Sequence, residues 1–160
     1  MAATDADPRP LSILLVEDEA AHAELVSRSL EGRSEEVEFI YVSDGEASMD
    51  VLQDCTAQQG VSPRELRTLV LLDLRLPRVD GLELVTQIKS SAALKHLPVV
   101  VLRTPGPERG VRNACYVHAN GYFVKPEGFS RFSQLVGDIS RYWLRWNHVY
   151  PVLRSSLDNG

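Results

Sequence analysis

Residues 68–81 read Thr-Leu-Val-Leu-Leu-Asp-Leu-Arg-Leu-Pro-Arg-Val-Asp-Gly. The unbroken apolar run Thr68 to Leu72 has the length of a strand buried on both faces, and Asp73 closes it. One carboxylate is thereby set at the mouth of a buried strand, where open α/β sheets build their sites. Two other runs end in a similar way. Leu11 to Val16 is followed by Glu17-Asp18-Glu19, and Gly121 to Val124 by Lys125-Pro126. If these strands lie parallel and side by side, Glu17, Asp18, Asp73 and Lys125 converge at one edge, and a divalent cation becomes the natural way to hold the carboxylates together.

The rest of the chain supports a doubly wound α/β fold with a five-stranded parallel sheet. Short apolar segments at Leu11–Val16, Val37–Val42, Thr68–Leu72, Pro98–Leu102 and Gly121–Val124 alternate with helical patterns. The first helix, from Ala20 to Leu30, is expected to turn Ala21, Leu25 and Leu30 inward and to stop at Gly32. The second starts at Asp44-Gly45 and runs through Ala47, Val51 and Leu52. A polar stretch, Gln58 to Pro63, reads as a surface excursion. Leu84, Val85 and Ile88 mark a third helix, and Val111, Ala114 and Cys115 a fourth, from Pro107 to Val117. The last helix, Phe129 to Trp146, is expected to be the longest. Residues 1–10 read as a disordered start, 11–150 as the domain, and 151–160 as a mobile tail.

The 160 residues are 44% hydrophobic, enough for one core, and no effector domain is expected beside it. A formal charge of −5 argues against nucleic acid as a partner. No run has the ~20 apolar residues of a membrane helix, and residues 1–10 lack the pattern of a signal peptide. A cytoplasmic protein is expected. Cys55 and Cys115 form no CxxC pair and read as reduced thiols, and Cys115 with His118 lacks the second ligand pair of a zinc site.

Taken together, Leu14-Leu15-Val16-Glu17-Asp18-Glu19, Leu71-Leu72-Asp73-Leu74-Arg75-Leu76-Pro77 with Asp80-Gly81, and Gly121-Tyr122-Phe123-Val124-Lys125-Pro126 resemble the receiver domain of bacterial two-component response regulators. The resemblance covers residues 11 to 147 and implies the flavodoxin-like strand order 2-1-3-4-5. It implies Asp73 as phosphoryl acceptor and Mg2+ held by Asp18, Asp73 and the carbonyl of Arg75, with Glu17 acting largely through water. Lys125 would contact the phosphoryl group, Tyr122 would be the aromatic switch residue, and the peptide before Pro126 would be cis. The phosphoryl donor would be a sensor histidine kinase. A plainer alternative leaves the strand-end acids as solvated groups or helix caps, with Asp18 on the first helix and Asp44 on the second. Tyr122 could likewise simply flank an edge strand.

Arg103 departs from the family, which places Thr or Ser after the fourth strand. Three placements are open. The guanidinium could face the site and bind phosphoryl oxygens or pair with Asp73, a one-residue bulge could bring Thr104 into the role, or Arg103 could point to solvent. The tail Tyr142-Trp143-Leu144-Arg145-Trp146-Asn147-His148-Val149-Tyr150 is similar to that of single-domain regulators that partner bacterial phytochromes. It implies a homodimer through Tyr142, Trp143, Trp146 and Tyr150, although these aromatics could instead cover the sheet.

Two classes of function follow. The leading one is a stand-alone phospho-acceptor, a signalling module and not a turnover enzyme, with a degenerate dimeric scaffold as its alternative. The rival is an aspartyl-phosphate hydrolase of the haloacid-dehalogenase type, which expects a second Asp where this chain has Arg75.

Overall fold

The computed structural model describes residues 11–32, 37–58, 68–76, 80–105 and 118–143, with backbone alone at 54–58. Five strands, β1 (Leu11–Val16), β2 (Val37–Val42), β3 (Thr68–Asp73), β4 (Val99–Arg103) and β5 (Gly121–Val124), form one parallel sheet in the order β2-β1-β3-β4-β5. Four helices are described: α1 (Ala20–Ser29), α2 (Gly45–Gln58), α3 (Gly81–Ser90) and α4 (Phe129–Arg141). The winding reverses between β1 and β3, which makes the gap above these strands the place for a site.

Every residue of β3 is buried. A strand in the middle of a parallel sheet has helices on both faces, so it reads as a continuous apolar run with no alternation. The ladders are regular, from Ser12↔Thr68 to Val16↔Leu72 between β1 and β3, and from Val70↔Val99 to Asp73↔Leu102 between β3 and β4. Successive side chains alternate faces and sort into two cores. Ile13, Leu15, Leu69, Leu71, Val100 and Leu102 pack against α1 and α4. Leu14, Val16, Val70, Leu72, Val99 and Val101 pack against α2 and α3. Leu84, Val85 and Ile88 are fully buried, as their spacing predicts.

The inward face of α1 differs from expectation. Ala23, Val26 and Leu30 are buried, Leu25 is half-buried on the flank, and Ala21 is exposed. Small Ala23 and compact Val26 let the helix axis approach the sheet, while Leu25 covers the side toward α4. The described part of α4 has 13 residues, and Tyr142 and Trp143 follow it. The expected continuation to Trp146 and the expected helix at 107–117 lie outside the described residues. Among the described residues, no helix is long and apolar enough to cross a membrane.

Candidate functional site

The ends of three strands supply the site. The Glu17 N–H extends the β1 ladder by donating to Val42 O at 3.1 Å, and the Lys125 N–H extends β5 by donating to Arg103 O at 2.7 Å. Both side chains are therefore anchored at their roots. Glu17, Asp73 and Lys125 are only 1%, 3% and 5% exposed. A buried ammonium must find acceptors, and that of Lys125 donates to Glu17 Oε2 at 2.7 Å and to Asp73 Oδ2 at 2.9 Å. Its third neighbour is His22 Nδ1, at 3.0 Å. The second oxygen of Asp73 accepts from the Arg75 N–H at 2.9 Å, and that of Glu17 from the Glu19 N–H at 3.2 Å. Asp73 is thus aimed by the backbone on one side and by Lys125 on the other.

Two buried carboxylates facing one ammonium cannot be equivalent. Burial, with the hydrogen bond to Asp73 second, pushes Glu17 up to about 7, against the opposing pull of Lys125. Burial would raise Asp73 too, but hydrogen bonds from Glu17, Lys125 and the Arg75 N–H outweigh it and hold Asp73 below its ordinary value. Lys125 moves up: burial would lower it, and its bonds to both carboxylates prevail. A proton held by the pair is therefore favoured on Glu17 over Asp73, which keeps Asp73 in the anionic form in which a carboxylate attacks.

Carboxylate oxygens of Glu17, exposed Asp18 and Asp73 lie within 4.8 Å of one another. Three hard oxygen donors beside open solvent fit a divalent cation that keeps several waters, so the residues present suit Mg2+ or Mn2+. Asp18 does not cap α1, because the cap position is Glu19 and makes no side-chain cap bond. Asp44 does accept from the Glu46 N–H, at 2.9 Å, as a cap of α2.

His22 was not singled out by the sequence. Its Nδ1 also lies 2.9 Å from Glu19 Oε2, and this one nitrogen can either donate to that carboxylate or accept from Lys125. The i, i+3 spacing of Glu19 and His22 at the start of α1 was the available signal. Gly81 also serves the site: a Cβ there would stand 2.7 Å from Leu74 Cα and 2.9 Å from Asp73 O. The neighbouring Asp80 caps α3, accepting from the Leu82 N–H at 3.0 Å.

Arg103 neither bulges out nor points to solvent. The β4–β5 ladder runs one-to-one from Val100↔Gly121 to Arg103↔Val124, and the half-buried Arg103 sets its guanidinium 5.8 Å from the ring centroid of Tyr122. Thr104 lines a cavity of about 450 Å³ with His22, Lys125, Phe129 and Phe132. The bond before Pro126 is trans, against expectation. Lys125 reaches both carboxylates with the trans peptide, which is also the lower-energy form. Tyr142 is 53% exposed and meets Trp143 edge-on at 5.2 Å, while Trp143 packs partly on the core. Trp146 and Tyr150 lie outside the described residues.

Residues 13–137 match the response regulator receiver domain family. The chain is 43% identical over 138 residues to the probable methanogenesis regulatory protein FilR2 of Methanothrix harundinacea, covering 86% of each chain. It is 39% identical over 144 residues to the response regulator Rcp1 of a Synechocystis species, covering 88% of this chain and 94% of that one. The Mn2+-bound crystal form of Rcp1 superposes with a TM-score of 0.74 at 35% identity, over 87% of this chain and 98% of that one. The phosphorylated cyanobacterial phytochrome response regulator RcpA gives a TM-score of 0.76 at 33% identity, over 87% and 97%.

Proposed function

The chain belongs to the response regulator receiver family, and on that premise we propose that Asp73 accepts a phosphoryl group from a sensor histidine kinase in a Mg2+-dependent step. The observation that carries this reading is the ammonium of Lys125, which binds Asp73 and Glu17 at once while the Asp18 carboxylate stands beside them. An Asp73 oxygen forms the O–P bond as the P–N bond to the donor's imidazole breaks, and the imidazole leaves with the electron pair. Lys125 then follows the negative charge onto the phosphoryl oxygens. Glu17, Asp18, Asp73 and the carbonyl of Arg75 would hold the cation, which when bound offsets the charge on the transferring oxygens.

The output is a protein contact and not a released product. The likeness to Rcp1 and RcpA over nearly their whole lengths supports a phytochrome-type kinase as donor. It also supports a cytoplasmic site of action. The exposed Tyr142 beside Trp143 supports a homodimer through the C-terminal aromatics. One observation favours the second reading, a dimeric scaffold with a weak or absent phospho-switch: Arg103 stands where the family carries a hydroxyl.

Intact-mass spectrometry after incubation with acetyl phosphate and Mg2+ tests the proposal. One phosphoryl adduct is expected, absent in Asp73→Asn and absent with EDTA. No adduct on the wild type would favour the scaffold, and an adduct that persists in Asp73→Asn would move the acceptor elsewhere. Transfer from an autophosphorylated phytochrome kinase tests the partner separately.

A further inference from the structure

The ladder puts Arg103 in a singular position. Asp73 pairs with Leu102, so Arg103 is the next residue beyond the acceptor's partner on β4. Its carbonyl accepts the Lys125 N–H at 2.7 Å, and its guanidinium lies over Tyr122. Arg103 and Tyr122 share a sheet face, because Val101 pairs with Tyr122 and Arg103 with Val124. The Tyr122 hydroxyl is buried and has no hydrogen-bond partner among the described residues. A buried hydroxyl in that condition stays only if something else holds the ring, since turning outward would give it water. The guanidinium on its face supplies such a hold.

We infer that Arg103 is a positioning residue that holds Tyr122 inward in the resting state and releases it when a phosphoryl group on Asp73 draws the guanidinium away. The inference rests on the phospho-acceptor reading above. A guanidinium is weakly hydrated and planar, so it can stack on a ring, yet it binds a phosphoryl dianion more strongly, through paired charge-assisted hydrogen bonds. The two uses compete for one side chain. A hydroxyl at this position could bind phosphoryl oxygen but could not hold the ring by charge, so this chain couples the site to Tyr122 by exchange of a cation between two partners.

The test is 19F NMR of the full chain labelled with 3-fluorotyrosine, with the Tyr122 resonance assigned by its loss in Tyr122→Phe. In the wild type that resonance should move when acetyl phosphate and Mg2+ are added, in step with the adduct seen by mass. Arg103→Met keeps the apolar stem without the charge. Its Tyr122 resonance should already be displaced before phosphorylation and stay fixed while the adduct forms. Arg103→Lys, which restores the charge without the plane, should recover part of the wild-type response. The other tyrosine resonances report whether each variant is folded. A Tyr122 resonance in Arg103→Met that matches wild type at rest, or that moves equally on phosphorylation, would overturn the inference. If the wild type forms no adduct, the phospho-acceptor reading fails by itself, and the resting comparison still decides whether Arg103 holds Tyr122.

Discussion

Lys125 and Asp73 meet at 2.9 Å in a setting where each is almost fully buried, and the same ammonium reaches Glu17 at 2.7 Å. The contact stabilises an anion at the acceptor before any cation or phosphoryl group arrives.

Lys125→Ala should therefore lower stability as well as phosphorylation. Breaking a buried pair by removing one partner costs about 3–5 kcal/mol, reduced here because Glu17 can carry a proton. Urea unfolding should show a loss of about 2–3 kcal/mol in EDTA, and Mg2+ should recover part of it. Equal stabilities in EDTA would mean that the ammonium merely balances its own desolvation.

Glu17 predicts a pH dependence. Its folded pKa, about 7, is above its ordinary value, so between about 4.5 and 7 the folded metal-free chain binds more protons than the unfolded one. Stability from this group is present at the acid end of that window and falls as the pH rises through it. A cation needs the ionised form, so Mg2+ affinity should rise roughly tenfold between pH 6 and pH 8. Calorimetric titration at both pH values checks this, and Glu17→Gln should flatten the profile.

Gly81→Ala should disturb the acceptor from a distance. The new Cβ would meet backbone, at 2.7 Å from Leu74 Cα, and backbone cannot rotate away as a side chain can. Overpacking of this kind costs about 1–3 kcal/mol. Thermal unfolding should fall by several degrees, and Mg2+ affinity and the rate of adduct formation should both decline.

Lys89→Met should lower stability and spare the acceptor. The Lys89 ammonium donates to Leu97 O at 2.8 Å and Asn120 Oδ1 at 2.7 Å, at the ends of β4 and β5 remote from the acceptor. Removing it takes a donor from Leu97 O, while Asn120 Oδ1 keeps the Val99 N–H at 2.9 Å, so the loss should be about 1 kcal/mol. The variant should melt earlier and still form the Asp73 adduct at the wild-type rate.

Tyr142→Glu tests the dimer. The side chain is already exposed, so the fold should hold, while a charge placed in an aromatic contact between copies should release monomers. Light scattering that still reports a dimer would move the interface off the end of α4.

The sheet was legible because parallel strands covered on both faces leave long apolar runs that end abruptly, as Leu72 ends at Asp73 and Val16 at Glu17. α3 was legible because Leu84, Val85 and Ile88 admit only one inward face. α1 was not, since Ala21, Ala23, Leu25 and Val26 offer two faces, and the choice depends on how close the axis comes to the sheet. The acids and the lysine were visible from type and position. The contact of His22 with Lys125 was not, because it joins residues 103 apart in sequence. The direction of Arg103 was equally hidden, because a long side chain at a strand end is placed by its neighbours on the next strand.

Glu17 and Lys125 stand 108 residues apart, with Asp73 near the midpoint. During synthesis the acids leave the ribosome long before the lysine, and β5 is the last of the described strands to be made. A nascent or truncated chain that ends before Lys125 carries the acceptor aspartate without its counter-charge. The buried charge cluster is therefore complete only in a chain that has been made through Lys125.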